Sequence, residues 1–290
     1  MKPAPFGYAV AQNRTHAIEI LQREGPDARP LAGGQSLVPM MNFRLARPSF
    51  LVDLNGCKDL SFVREKADGL HIGAMVRQRE AELDPLAARC CPLIPLALSV
   101  AGSVPIRSRG TVGGSLANGY PLADLISVAL ALEASMIVLG PAGERSIPSE
   151  EFFVDGMMTA IETGELLIET VFPIATPESR YVYRRRGSKG GEASVIVCAS
   201  AEADATGGLS KLRIVGAGIS SKPIRLRHLE SAACGMQASN DLHDAFLADL
   251  ETRQFVEPDD EMAFAEDQAE LLVGVCLEEL RRAPVEAGGR

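Results

Sequence analysis

Apolar residues first recur at helical spacing in THAIEILQRE, residues 15–24, where Ala17, Ile18, Ile20 and Leu21 share one side and Gly25-Pro26 ends the pattern. The spacing predicts a helix with Thr15 as its N-cap. Two short apolar runs follow, ARPL (28–31) leading into AGGQS and FLVDLN (50–55) ending at Gly56. Together they predict a small βαβ-like unit of roughly sixty residues.

The pattern changes after Leu60. GLHIGAM (69–75) reads as a strand, and DPLAARCCPLIPLALSVAG (84–102) as helix in part, interrupted at Pro92 and Pro95. ADLISVALALEA (123–134) carries few charges and predicts a buried helix. SMIVLG (135–140) and ELLIETVFP (165–173) predict strands on either side of the loop ERSIPSEEFF. Their alternation is weak, which predicts cover on both faces. TPES (176–179) reads as a linker. Beyond it RYVYRRR, EASVIVCASAEAD and LSKLRIVGAGIS, separated by GSKGG and ATGG, predict an antiparallel meander. The rest reads as helices, DLHDAFLADL and EMAFAEDQAELLVGVCLEELRRA, then a disordered tail PVEAGGR. The predicted division is 1–58, 59–176 and 177–290.

The chain has 290 residues, 46% hydrophobic and 23% charged, the balance of an ordinary globular protein. Trp is absent and aromatics make up 5%, which argues against stacking platforms for single-stranded nucleic acid. A formal net charge of −9 argues further against nucleic acid and against anionic membranes. None of the six cysteines forms a CxxC pair and the four histidines show no metal spacing, so no metal site is expected. The N-terminal segment lacks the apolar core of a signal peptide, and no apolar run reaches membrane-spanning length. The expected location is the cytoplasm, with reduced cysteines.

Two glycine segments carry the candidate chemistry. In AGGQS (32–36) a strand runs into Gly33-Gly34, which can take positive φ and turn successive N–H groups toward one point, with Gln35 and Ser36 as added donors. TVGGS (111–115) repeats the recipe, and Asp124 follows where a helix begins. One GG pair alone is better explained by a plain strand-to-loop turn. Asp124 reads either as a helix cap or as an acceptor for sugar hydroxyls. Two such turns in separate subdomains suggest one long anionic ligand between them. Neither is GxGxxG or GxxxxGK[ST], so a Rossmann or P-loop site is not supported.

ARPLAGGQSLVPMMNFRLARPSFLVDLNG and IRSRGTVGGSLANGYPLADL together resemble the FAD-binding medium subunits of molybdenum hydroxylases, the relatives of carbon monoxide and xanthine dehydrogenases. The resemblance continues through HIGAM, ELLIETVFP and GAGISSKPIRLRHLE, nearly the whole chain. It implies an α+β fold: a two-part FAD-binding domain of the vanillyl-alcohol-oxidase (PCMH) type, then a three-stranded antiparallel sheet with a helical bundle. It implies FAD held at its pyrophosphate by backbone N–H groups of Ala32, Gly33, Gly34, Gln35 and Ser36. Thr111, Gly113, Gly114 and Ser115 would complete the cradle, Asp124 would hold polar atoms such as sugar hydroxyls, and Leu167 would lie against the cofactor. Relatives place a lysine in the strand after the linker, where Arg184 or Lys189 stands here.

The implied partners are a large molybdopterin-binding subunit, a small subunit with two 2Fe–2S clusters, and a small-molecule electron acceptor. Flavin chemistry resides in the cofactor, so no catalytic residue is expected in this chain. One departure stands out: family members commonly read His-Ala-Asp-Pro where this chain has Asn118-Gly119-Tyr120-Pro121. MMNFRLARP (40–48) reads as a core-facing turn with solvated arginines or as a partner surface, and RRR (184–186) as a solvated strand edge. Two other functions remain open on sequence: a stand-alone flavoenzyme on the same scaffold, and a non-catalytic nucleotide-binding or scaffold protein.

Overall fold

The computed structural model describes residues 2–187, 193–203 and 209–234, together with residue 248 and residues 269, 270, 273–277 and 280. Lys189, the ATGG turn, the tail, most of DLHDAFLADL and much of the last predicted helix lie outside them.

The N-terminal sheet is parallel. Strands β1 (Gly7–Val10) and β2 (Ala28–Leu31) flank β3 (Phe50–Asp53), with helices α1 (Arg14–Glu24) and α2 (Leu37–Asn42) in the crossovers. Helix α1 buries the four predicted residues, Ala17, Ile18, Ile20 and Leu21, and stops at Gly25, whose φ of +81° favours glycine. Its cap is Asn13 rather than Thr15: the Asn13 side chain accepts from the His16 N–H at 2.9 Å, two residues earlier than expected. Strand β1 and helix α2 are additions to the sequence reading. GYAV is too short to show a period, and its Tyr8 and Val10 face solvent.

The second sheet is antiparallel, in the order β4-β5-β10-β6-β7. Its strands are β4 (Val63–Lys66), β5 (Gly69–Gly73), β6 (Ser135–Gly140), β7 (Gly143–Pro148) and, after the small hairpin β8 (Phe153–Asp155) and β9 (Met158–Thr159), the central β10 (Leu166–Phe172). Helices α3 (Gln78–Leu83), α4 (Pro85–Cys90), α5 (Leu93–Val100), α6 (Val104–Arg109), α7 (Val112–Asn118) and α8 (Asp124–Ala131) lie between β5 and β6, and α9 (Ser149–Phe152) follows β7. Cover on both faces holds for β5, buried throughout, and largely for β10, whereas β6 alternates. The predicted loop from Glu144 contains β7, a polar edge strand with only Ile147 buried. Pro95 does not break α5, because it sits in the first turn where its N–H has no intrahelical acceptor.

The meander forms as β11 (Ser179–Gly187), β12 (Ala193–Ala203) and β13 (Leu209–Ala217). A short fourth strand, β14 (Ile224–Arg225), pairs with β13 and leads into α10 (Arg227–Ala233), so the expected three-stranded sheet has four strands. The apolar face of this sheet packs with Ala269, Val273, Cys276, Leu277 and Leu280. Helix α8, buried from Leu125 to Ala131, packs on β12 and β13, and the Ser200 hydroxyl donates to the Ala131 carbonyl at 2.6 Å. Among the described residues no helix is long and apolar enough to cross a membrane.

Candidate functional site

Parallel strands deliver their carboxyl ends to one edge, the usual position of a ligand crevice in such a sheet. Here that edge opens into a cleft of about 470 Å³, lined by Ala32, Gly33, Gly34, Gln35 and Val38 after β2, by Asp53 and Asn55 at and after the end of β3, and by Tyr8 and Arg109. AGGQS is a true turn. Gly34 has φ +73°, and its carbonyl accepts from the Val38 N–H at 3.1 Å. Gly33 answers to a different demand: a Cβ there would lie 2.8 Å from the Gly110 Cα and still closer to the Arg109 carbonyl. Among the described residues, none of the N–H groups of Ala32, Gly33, Gly34, Gln35 or Ser36 donates to another protein group. The Gln35 amide folds back onto the Gly33 carbonyl at 3.2 Å.

TVGGS is not a turn but the start of α7. Thr111 is its N-cap, with Oγ1 accepting from the Gly114 N–H at 3.0 Å. Three more N–H groups are committed as well, Val112 to the Val76 carbonyl, Gly113 to the Ala74 carbonyl and Ser115 to the Thr111 carbonyl, whereas the Thr111 N–H donates to no group among the described residues. Gly113 and Gly114 have no positive φ, so the reason for glycine is close approach. A Cβ on Gly113 would lie 2.6 Å from the Ala74 Cα, and one on Gly114 would meet Thr111 Oγ1 at 2.7 Å and the Ala32 Cβ at 3.2 Å. The structure therefore brings the two segments into contact through Ala32 and Gly114, and through Gly33 and Gly110. What the second segment has free among the described residues is the Thr111 N–H and the Ser115 hydroxyl.

Asp124 and Leu167 do not line this cleft. Asp124 is the first residue of α8 but makes no cap; its carboxylate, 14% exposed, accepts from the Tyr183 hydroxyl at 2.6 Å and from Arg185 at 3.2 Å. Burial, reinforced by the Asp124 charge, pushes the Tyr183 phenol well above its ordinary value. Arg185 is thus paired rather than solvated, while Arg184 stands half-buried beside it in β11. Leu167 faces Val138 across β10 and β6 and is buried in the core. Tyr120 is 42% exposed, just after Gly119, whose φ of +65° ends α7. In MMNFRLARP only Met41 and Pro48 are buried; Phe43 and Leu45 are 63% and 77% exposed, so most of the segment is not core-facing.

Five residues of the cleft and its floor were not singled out from sequence. Tyr8 donates to the Asp53 carboxylate, which also accepts from the Asn55 backbone and side chain, and Arg77 donates to Asn55 Oδ1 at 2.5 Å. Partial burial pushes the Asp53 carboxyl upward, but the Tyr8 and Asn55 donors and the Arg77 charge outweigh it and hold it below the ordinary carboxylate range. The Arg109 guanidinium makes no ion pair or hydrogen bond among the described residues. Exposed and beside the glycine turn, it adds a cation to the donors expected from the sequence. The available signals were the strand-end rule for Asp53 and Asn55, and position alone for Arg109, two residues before Thr111. No cluster of His, Cys, Asp and Glu side chains able to hold a metal occurs among the described residues.

A run of unsatisfied N–H groups, glycines that admit close approach and an unpaired arginine define a phosphate-type cradle. Residues 4–175 match the family described as the FAD-binding domain in molybdopterin dehydrogenase. The chain is 35% identical over 264 residues to 6-hydroxypseudooxynicotine dehydrogenase complex subunit alpha of Paenarthrobacter nicotinovorans, covering 89% of this chain and 87% of that one. It is 31% identical over 290 residues to caffeine dehydrogenase subunit beta of a Pseudomonas species, covering 98% and 96%. Among solved structures, carbon monoxide dehydrogenase from Hydrogenophaga pseudoflava superposes with a TM-score of 0.91 at 28% identity, covering 98% of this chain and 100% of that one. The chain belongs to the FAD-binding domain family of molybdopterin dehydrogenases. It has the family's PCMH-type fold and is an FAD-binding medium subunit of a molybdenum hydroxylase, an FAD-dependent oxidoreductase component. A non-catalytic scaffold is thereby set aside.

Proposed function

We propose that this chain is the electron-transferring subunit of a heterotrimeric hydroxylase, receiving electrons from 2Fe–2S clusters of a small subunit after oxidation at molybdopterin in a large one. An external small-molecule acceptor then takes them. The observation that carries the cofactor's placement is the set of unpaired N–H groups from Ala32 to Ser36 beside the unpaired Arg109. These residues suit a diphosphate: five N–H groups donate to nothing else among the described residues, the exposed Arg109 lines the same cleft, and the missing Cβ at Gly33 lets the turn pack against the Arg109 carbonyl.

In this reading residues 32–36 hold the FAD diphosphate through their backbone. Thr111, Gly113 and Gly114 shape the opposite wall, and Ser115 offers its hydroxyl. Asp124 and Leu167 are proposed as contacts further along the same ligand, Asp124 through the carboxylate that also anchors β11. The boundaries near residues 58 and 176 are part of the proposal, supported by the separation of the three sheets. When bound, FAD supplies the redox chemistry, joining one-electron carriers to a two-electron acceptor. The chain's own residues bind and orient it.

Native mass spectrometry of the purified complex, with visible absorption and metal analysis, tests this. The expected result is one FAD on this chain together with subunits carrying molybdopterin and iron–sulfur. Turnover by the isolated chain with bound FAD, and no such partners, would instead support a stand-alone flavoenzyme.

A further inference from the structure

The two walls of the cleft come from distant parts of the sequence, and one side chain spans both. Arg77, between β5 and α3, donates through Nη1 to the Arg109 carbonyl at 2.6 Å and through Nη2 to Asn55 Oδ1 at 2.5 Å. Asn55 in turn donates through Nδ2 to the Ala32 carbonyl at 3.2 Å and to the Asp53 carboxylate at 2.5 Å. The Arg109 carbonyl is also the group against which Gly33 is packed. A continuous chain of hydrogen bonds thus runs from the end of α6 to the first residue of the glycine turn.

We infer that Arg77 is a positioning residue for the cofactor, clamping the turn at 32–36 against the end of α6 through Asn55. This rests on the reading of that turn as the diphosphate site. A guanidinium suits the task because its planar fork presents two N–H groups to two acceptors in fixed geometry. Both acceptors are neutral oxygens, and Arg77 makes no ion pair among the described residues. Its charge therefore stays beneath the cleft, where an anionic ligand experiences it along with that of Arg109. The clamp sets the width of the cleft, and it fixes the backbone that carries the Arg109 guanidinium.

The test is FAD titration of the full-length, deflavinated chain, followed by flavin fluorescence, for Arg77→Met, Arg77→Lys, Asn55→Ala, the Arg77→Met/Asn55→Ala pair and Arg109→Gln. The expected result is that Arg77→Met and Asn55→Ala each weaken binding about 10- to 100-fold. The double variant should be no weaker than Arg77→Met alone, because both break one chain of bonds. Arg77→Lys should recover part of the affinity, and the visible circular dichroism of the remaining bound flavin should change. A merely structural residue would give additive losses that track the stability of the deflavinated chain, with an unchanged flavin spectrum, and that outcome overturns the clamp. If Arg109→Gln weakens FAD binding but the Arg77 variants do not, the clamp fails and the diphosphate reading stands. If Arg109→Gln is also without effect, the diphosphate reading fails with it.

Discussion

AGGQS and TVGGS look interchangeable as strings, yet they are nearly opposite in physical terms. The first is a turn after a parallel strand, with one glycine at positive φ and a series of N–H groups donating to nothing among the described residues. The second opens a helix whose N–H groups are all satisfied, by Thr111 and by the carbonyls of Val76 and Ala74. One segment leaves its N–H groups on offer, whereas the other spends nearly all of its own inside the protein. The lesson is that a glycine pair does not specify a phosphate nest; the fate of the neighbouring N–H groups does.

The strongest way to break this comparison is to add a methyl group to each segment. Gly33→Ala drives a Cβ onto the Arg109 and Gly110 backbone, and Gly113→Ala drives one onto Ala74. Each should cost roughly 1–3 kcal/mol or more in denaturant unfolding, since the opposing atoms are backbone and cannot rotate away. Only Gly33→Ala should also abolish FAD uptake in excess of its stability loss, because it pries the binding turn off α6. Equal uptake losses from the two variants would erase the distinction.

Asp124 gives the next largest effect. It joins α8 to β11, so Asp124→Ala leaves Tyr183 and Arg185 without their acceptor at a partly buried position. The expected cost is about 1.5–3 kcal/mol, more than a helix cap alone would lose. Tyr183→Phe should reproduce part of it. If stability hardly changes while flavin content falls, the carboxylate serves the ligand rather than the sheet. A smaller effect is expected at Thr111. Thr111→Val removes the cap and should cost about 1 kcal/mol, with FAD affinity nearly unchanged, since no N–H of α7 is on offer to the ligand. A large affinity loss measured by titration would mean that the two segments are not so different.

Much of this was legible in the sequence because it rests on local rules. The apolar face of α1, the buried α8 and the glycine-joined meander all follow from period and turn chemistry. β7 was missed because an edge strand exposed on both faces carries no apolar period, and β1 because four residues show none. At the site, the glycine turn was readable since φ +73° has few other solutions than glycine. The saturation of the α7 N–H groups was not, because two of their acceptors, Ala74 and Val76, are remote and contribute only carbonyls, which every residue has. Arg109 and Arg77 were invisible for the same reason: nothing near them in sequence distinguishes an arginine at or beneath a cleft from one in solvent.

The smallest effect sharpens the binding side of the comparison. Asp53 is the acid at the cleft mouth, and its carboxyl is held below the ordinary range by donors that include the Tyr8 hydroxyl. A folded-state pKa lower than the unfolded one gives stability that is present above about pH 4, the unfolded carboxylate value, and lost as pH falls through the lower folded value. Tyr8→Phe removes one of those donors. Tyr8 is half exposed, so the difference between wild type and variant should be at most about 0.5 kcal/mol at neutral pH. It should vanish in acid once Asp53 is protonated in both. Urea unfolding from neutral pH down to about pH 2, far enough to pass the lowered folded value, measures it. A difference that persists or grows in acid would show that Tyr8 supports the cleft by packing, and that its bond to Asp53 does not.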